Sequence, residues 1–402
     1  MKKKLLFIMP SLAAGGGERS LINLLSYMDY EQYEVDLHLM NHEGIFLELL
    51  PEEVNLLPLS EGYLRFSQPI GRSVAGHLKQ GELSLALNRM LFSLNNRAGG
   101  NVSVKEQAGW KYVSPSLRKL KEEYDVAIGY LEKSSIYFCV DKVKAKKKIG
   151  WIHSDYDQLG MDAQFDQTYF RALNHIVTVS DECAKVLCNR FPEEAHKVTV
   201  IYNMVSPSMI RAMARAEDED LFERQDGETV ILSIGRLQPE KGFLLAVDAF
   251  RLLMERGYKV KWHIIGEGDE REALQHKIEE YGLSRRFKLL GVRSNPYPYL
   301  EQADIYVQPS RFEGKSIAID EAKILHKPIV ITAFSTANDQ LRRNEEGLIA
   351  EMSPESVADS IAKLIDDPGL RQRFKRQLAS LELGTEQEVN KFYTLVQGGE
   401  MP

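Results

Sequence analysis

Short apolar runs and helix-length amphipathic stretches alternate along almost the whole chain. In the first half the runs fall at 4–9, 33–40, 54–59, 126–130, 148–153, 175–179 and 198–202. In the second they fall at 230–235, 260–265, 287–290, 305–308, 328–331 and 347–350. Such runs suit strands buried on both faces, and the helical stretches between them suit the crossovers that parallel strands require. The pattern therefore predicts an α/β fold with two open parallel sheets, one in each half.

Two stretches break the alternation. Residues 206–228, SPSMIRAMARAEDEDLFERQDGE, are polar and charged with no strand pattern, and read as an interdomain connection. Residues 61–115 are helical and basic and contain NNRAGGN, which reads as a mobile loop; insertions of this kind usually carry specificity rather than scaffold. The expected organisation is a first Rossmann-like domain over 1–205, a second over 206–385, and a short amphipathic helix, EQEVNKFYTLV, within 386–402.

A chain of 402 residues is too long for one ordinary core, in agreement with two sheets. Its net charge of −7 argues against a general nucleic-acid binder. Between positions 60 and 150, however, Lys and Arg outnumber Asp and Glu about two to one, with Lys142, Lys144, Lys146, Lys147 and Lys148 among them. Two readings stay open there: a face for anionic matter, such as a membrane surface or a phosphorylated substrate, or an ordinary solvated surface. Cys139, Cys183 and Cys188 are too few for a disulfide framework or a zinc site and read as reduced thiols of a cytosolic protein. The start, MKKKLLFIMPSLAAGGGER, imitates a secretory signal, but its apolar run is short and broken by Pro10. A buried strand followed by a glycine turn explains the same letters with fewer assumptions. No stretch approaches the apolar length that spans a bilayer, so the expected location is cytoplasmic, with any membrane contact peripheral.

Candidate chemistry concentrates in the second half. The strand ILSIG runs into Arg236 and then LQPEKGF, placing Arg236 and Lys241 at the carboxyl end of a strand, where open α/β sheets bind ligands. Two cations there suit a diphosphate, although an Arg and a Lys on a loop are also common surface residues. KWHII ends in Gly266-Glu267-Gly268-Asp269, which lacks the third glycine of a dinucleotide fingerprint; close backbone approach and a tight turn would each want these glycines. The most informative segment is ADIYVQPSRFEGKSIAIDEAKILHKPIVIT. A buried strand ends at Pro309, Glu313 and Gly314 open a helix, and Glu321 follows eight residues after Glu313. Free backbone N–H groups of Gly314, Lys315 and Ser316 at that helix start form an anion site. Glu321 falls in the second turn, and helical side chains lean toward the N-terminus, so its carboxylate points back to the ligand end and can accept from a ribose diol. Glu313, ahead of the helix, is placed to reach a sugar beyond the phosphates.

The pattern E-x7-E within SRFEGKSIAIDEAKILHKPIV resembles the donor site of retaining glycosyltransferases with the GT-B fold, glycosyltransferase family 4 in particular. Other segments agree in order and spacing: Gly15-Gly16-Gly17-Glu18, WIHSD around His153, VTVSDECAKVL around Ser180, VIYN at Asn203, SIGRLQPEKG, IIGEGDE, and LLGV ending at Val292. The resemblance covers most of the chain except 61–115 and the final tail. It implies two facing Rossmann-like domains with a donor cleft between them. It further implies that Arg236 and Lys241 hold the donor diphosphate, backbone near Val292 reads the base edge, and Glu321 binds the ribose. Glu313, with Gly314, Lys315 and Ser316, would meet the donor sugar and phosphates. Gly15, Gly16 and Gly17 would let the backbone approach the diphosphate, and His153 would face the donor sugar. Lys315 departs from the pattern, since many relatives carry an apolar or aromatic residue there; a phosphate or acceptor contact and a mere subgroup mark stay open.

No carboxylate pair forms an obvious double-displacement set. The resemblance implies instead a hexosyl transfer with retention, by front-face attack, in which the leaving phosphate takes the acceptor proton while Arg236, Lys241 and helix dipoles stabilise its charge. That scheme requires no metal or cofactor; the nucleotide diphosphate sugar, UDP-linked first and GDP-linked second, is a substrate. Asp155-Tyr156-Asp157 and Asp218-Glu219-Asp220 spell the D-x-D of metal-using transferases in the wrong context and read as chance. The acceptor implied is a saccharide or lipid-linked saccharide of a cell-surface polymer, met at the inner membrane face, with no nucleic-acid partner. In this fold the last helix commonly crosses back to the first domain. Three rivals remain: a sugar-nucleotide epimerase, a non-catalytic glycosyltransferase-like partner subunit, and a nicotinamide dehydrogenase. The dehydrogenase would want G-x-G-x-x-G and a ribose-binding acid about twenty residues on, and neither is cleanly present.

Overall fold

The computed structural model describes residues 2–13, 15–97, 99–215, 221–222 and 226–398, which fall into two compact units. Among these residues, the first unit takes 2–13, 24–202 and 389–398, and the second takes 15–23 and 203–388.

The first unit is built on seven strands: β1 (Lys3–Met9), β2 (Tyr33–Leu39), β3 (Asn55–Leu56), β4 (Glu123–Gly129), β5 (Lys144–Ile152), β6 (His175–Thr178) and β7 (Val198–Val200). Their order is β3-β2-β1-β4-β5-β6-β7, with every pair parallel. The second unit has six: β8 (Thr229–Ile234), β9 (Val260–Ile265), β10 (Phe287–Leu289), β11 (Ile305–Gln308), β12 (Ile329–Thr332) and β13 (Gly347–Ala350). Here the order is β10-β9-β8-β11-β12-β13, again all parallel. Each apolar run of the sequence becomes a strand, because helices cover both faces of a parallel sheet and leave no polar side. Leu5 to Met9 in β1 and Val230 to Leu232 in β8 are fully buried. In each sheet the strand order reverses once, between β1 and β4 and between β8 and β11, and such a switch point opens a crevice at the carboxyl ends. Polar bonds tie the centre of the second sheet: Trp262 Nε1 donates to Ser233 Oγ (3.0 Å), which donates to the Val307 carbonyl (2.6 Å).

Two expectations change, and one falls outside the described residues. The segment 206–228 is more than a connection, since helix Pro207–Ala214 opens it, capped by Ser206 Oγ accepting from the Met209 N–H, and Ile210 joins the second unit's core. The D-x-D at Asp218-Glu219-Asp220 lies outside the described residues. In the insertion, helices Glu61–Phe66, Ile70–Lys79, Leu83–Arg97 and Val102–Val113 follow one another, and Asn95 to Arg97 of NNRAGGN are helical rather than loop. Asn95 Nδ2 reaches the Lys105 carbonyl (2.8 Å), which ties that helix to the next.

Helix Glu388–Gln397 joins the first unit almost entirely. Its Phe392 is fully buried, with ring centroids 5.9 Å from Phe7 and 6.1 Å from Trp151. Tyr393 stacks on Tyr33 at 5.2 Å, donates to the Tyr27 carbonyl and accepts from the Asp29 N–H.

Candidate active site

Lys241 and Glu313, both singled out in the second half, meet at the β8–β11 switch point, whereas Val292 lies beyond edge strand β10. After β8 the chain makes a 3-10 turn, Pro239–Lys241, and ends it on Gly242 at φ 66°, where a Cβ would stand 2.1 Å from the Pro309 carbonyl oxygen. Only glycine lets the loop after β8 lie so close to the end of β11. Gly266 settles the sequence ambiguity in the same way: its Cβ would meet the Gly235 carbonyl oxygen at 1.9 Å, so it serves backbone against backbone.

That closeness brings Lys241 onto Glu313. The ammonium donates to both carboxylate oxygens, at 2.7 and 2.8 Å. Oε1 also accepts from Gln308 Nε2 (3.0 Å) and Ser310 Oγ (2.6 Å), while Thr336 Oγ1 donates to the Glu313 carbonyl (3.0 Å). A buried carboxylate with this many donors is held in one orientation, and it fixes the lysine in turn. Lys241 has three protons, so part of its donor capacity stays available to an anionic ligand. Arg236, two residues past β8, is exposed, and its side chain makes no hydrogen bond or ion pair among the described residues.

Glu321 lies in the second turn of helix Ile317–Ile324 and is buried. Tyr297 Oη donates to its Oε1 at 2.7 Å. Burial pushes the carboxyl pKa up, while the Arg19 charge and the Tyr297 hydrogen bond pull the other way. Arg19 sits in the same unit: its guanidinium lies 5.5 Å from the Tyr297 ring centroid and donates to the Ser294 carbonyl (3.3 Å).

The helix start differs from expectation. Gly314 and Ser316 are buried, but the Ser316 N–H is not free: Gln340 Oε1 accepts from it at 2.9 Å, and Gln340 Nε2 donates back to the Ser316 carbonyl. The helix begins only at Ile317, so Gly314 and Lys315 precede it, and a side-chain amide fills the expected anion site at Ser316. Lys315 is half-buried, and its charge pulls the Asp320 pKa down against the larger effect of burial. The Val292 carbonyl accepts from the Arg293 guanidinium (3.1 Å) just beyond edge strand β10. Gly15 precedes and Gly16 and Gly17 open helix Gly16–Ser26; a Cβ on Gly15 would strike the Glu18 carboxylate at 2.2 Å, whereas Gly16 has open space.

His153 belongs to the first unit, just past β5. Its ring lies 5.0 Å from that of Tyr130, whose backbone is the polar group that favours its protonated form against burial. Burial pushes its pKa down to about 3, so the imidazole is neutral at pH 7. Beside it, Glu132 Oε1 accepts from the N–H groups of His153 (2.7 Å) and Ser154 (2.9 Å), fixing the loop.

Other charged motifs have structural partners. Tyr156 of Asp155-Tyr156-Asp157 donates to Asp166 (2.6 Å), and Asp157 pairs with Arg190 (2.8 Å). In the lysine run, Lys146 pairs with Asp125, Lys147 donates to the Leu395 carbonyl and Lys148 to the Val140 carbonyl. This part of the basic excess therefore holds the fold together.

Glu132, Gln308, Ser310, Tyr297, Gln340 and Arg19 escape the sequence reading. A glutamine closing the otherwise apolar strand IYVQ is the one local signal among them.

Residues 215–379 match the family model of glycosyl transferases group 1. An uncharacterized glycosyltransferase of Methanocaldococcus jannaschii is 27% identical over 232 residues, 56% of this chain and 59% of that protein. The chain spans only about three fifths of the length of the first curated relatives it matches. A Campylobacter jejuni N-acetylgalactosamine-N,N'-diacetylbacillosaminyl-diphospho-undecaprenol 4-alpha-N-acetylgalactosaminyltransferase is 24% identical over 379 residues, 94% of each chain. Among solved structures, Anabaena HepE in complex with UDP and glucose superposes with a TM-score of 0.68 at 16% identity, covering 98% of this chain and 100% of that one. With two parallel sheets of this topology the chain has a GT-B fold, and its residues 215–379 are similar to the group 1 glycosyl transferases.

Proposed function

We propose that the protein transfers a hexosyl group from a nucleotide diphosphate sugar, UDP-linked in the first instance and GDP-linked in the second, with retention at the anomeric carbon. The acceptor is a saccharide or lipid-linked saccharide in cell-surface polysaccharide or glycoconjugate synthesis, met by peripheral contact with the inner membrane face. The observation that carries this reading is the Lys241–Glu313 pair at the β8–β11 switch point, with exposed Arg236 on the same strand end and buried Glu321 on the following helix. The Campylobacter relative's lipid-diphosphate acceptor and the UDP and glucose bound by HepE support the choice of substrates.

In the proposed reaction the acceptor hydroxyl oxygen bonds to the anomeric carbon on the face from which the diphosphate oxygen leaves. The hydroxyl proton passes to that departing oxygen, so no protein base is consumed. Arg236 and Lys241 stabilise the charge that grows on the diphosphate, and Glu313 keeps Lys241 aimed. Glu321 accepts from the ribose diol, and Gly314 and Lys315 N–H groups meet phosphate. Neutral His153 can exchange a hydrogen bond with a sugar hydroxyl without adding charge.

Thermal stability measured against UDP, GDP, ADP and NAD tests the donor site, because a ligand that binds only the folded state raises the apparent Tm with concentration. One nucleoside diphosphate is expected to give a shift that Glu321→Ala abolishes. No shift with any nucleotide, from folded protein, would favour the non-catalytic partner subunit. Product analysis separates transfer from epimerisation.

A further inference from the structure

Nine of the ten exposed large apolar side chains among the described residues lie between Leu64 and Val104, inside the helical insertion of the first unit. On helix Leu83–Arg97 they are Leu83, Leu87, Met90 and Leu94, between 42% and 68% exposed. Steps of four, three and four place them on one face, an apolar stripe about 16 Å long at the rise of an α-helix. Arg97 lies three residues on and ends the same face with a cation. The helix packs through its other side, where Ala86 is buried and the Arg89 guanidinium lies over Phe66 and Phe92. The preceding helix, Ile70–Lys79, adds exposed Ile70 and Leu78 together with exposed Arg72 and Lys79. Stripes with this spacing normally turn inward, and a cluster of them facing water marks a surface that is covered when the protein works.

Charge decides what covers it. Residues 61–115 hold seven Lys and Arg against three Asp and Glu, in a chain whose net charge is −7. Two of those acids are already engaged: Glu82 with His77 (2.8 Å) and Arg65 (3.5 Å), and Glu106 with Lys133. A second copy of this chain would bring like charge against like. An anionic bilayer supplies both complements, phosphates for the cations and an apolar layer for the leucines. We propose that helices Ile70–Lys79 and Leu83–Arg97 dock the protein on an anionic lipid surface, the Leu83–Leu94 stripe entering the interface and Arg72, Lys79 and Arg97 contacting phosphates. This deepens the membrane-held acceptor of the proposed function, but lipid binding needs no nucleotide and can be measured separately.

Full-length protein is sedimented with vesicles of phosphatidylcholine alone, or with about one third phosphatidylglycerol, at about 0.1 and 1 M salt. Binding is expected to the anionic vesicles at low salt, and to weaken about tenfold or more at high salt or without phosphatidylglycerol. Leu87→Gln combined with Leu94→Gln is expected to weaken it about tenfold or more, as is Arg72→Gln with Lys79→Gln and Arg97→Gln. Failure to bind anionic vesicles, or unchanged binding by the leucine variant, overturns the proposal. So does a wild-type dimer in sedimentation velocity that the leucine variant dissolves, which gives the face to a second copy. The nucleotide-induced Tm shift, taken on the same proteins, reports on the donor site independently: lipid binding without any shift sinks the donor reading and leaves the docking face standing.

Discussion

The second unit matches its polar groups to one another at the β8–β11 switch point, whereas the first unit turns a row of leucines toward solvent. Both arrangements run against the simplest economy of folding, and they do so differently. Buried Glu313 and Glu321 are tolerable because Lys241, Gln308, Ser310 and Tyr297 satisfy them at hydrogen-bond distance. Exposed Leu83, Leu87 and Leu94 need no satisfying partner and cost the fold little; they forgo a gain instead of incurring a penalty. Disturbing the first arrangement should therefore damage structure or chemistry, and disturbing the second should leave the folded protein intact.

The largest contrast is expected within the first unit, between an apolar group turned inward and one turned outward. Phe392→Ala should cost about 3–5 kcal/mol in urea unfolding, while Leu87→Gln should stay within about 0.5 kcal/mol of wild type. Similar losses for both would mean that the stripe is core and not surface. Next in size, Lys241→Met should slow sugar transfer by about 10²–10³-fold in kcat, with Leu87→Gln unaffected on a soluble acceptor. Turnover preserved without the ammonium would reduce the Lys241–Glu313 pair to a structural ion pair.

The smallest effect concerns pH. His153 has its folded pKa depressed to about 3 from an unfolded value of 6.5. Between those values the unfolded chain binds the extra proton, so stability falls as pH is lowered through that window. Acidification from pH 7 to 5 should cost about 1–2 kcal/mol through this residue. His153→Gln should remove that share of the slope; His38 and His263, also depressed by burial, keep theirs. An unchanged slope would show that water reaches the ring.

The strands were legible because a parallel sheet has no polar face, so every strand stands out as an unbroken apolar run between helices. Lys241, Glu313 and Glu321 were legible because they follow strand ends at fixed spacing. Their partners were not: Gln340 and Ser316 lie 24 residues apart, and only the fold brings that amide onto the helix start. Tyr297, also 24 residues from Glu321, read as one more apolar letter. The leucine stripe was hidden for a different reason. Spacing of four, three and four describes an amphipathic helix equally well whichever way it faces, and orientation depends on neighbours that periodicity does not encode.

Helix Glu388–Gln397 also sets an order of events during synthesis. The slot beside Phe7 and Trp151 is made by β1 and β5 of the first sheet, yet the ring that fills it emerges only after the whole second sheet has been translated. The growing first unit must therefore wait with an open apolar seam through the making of nearly two hundred residues. Shortened or stalled chains should betray themselves first by clumping and chaperone capture, before any fault appears in the chemistry.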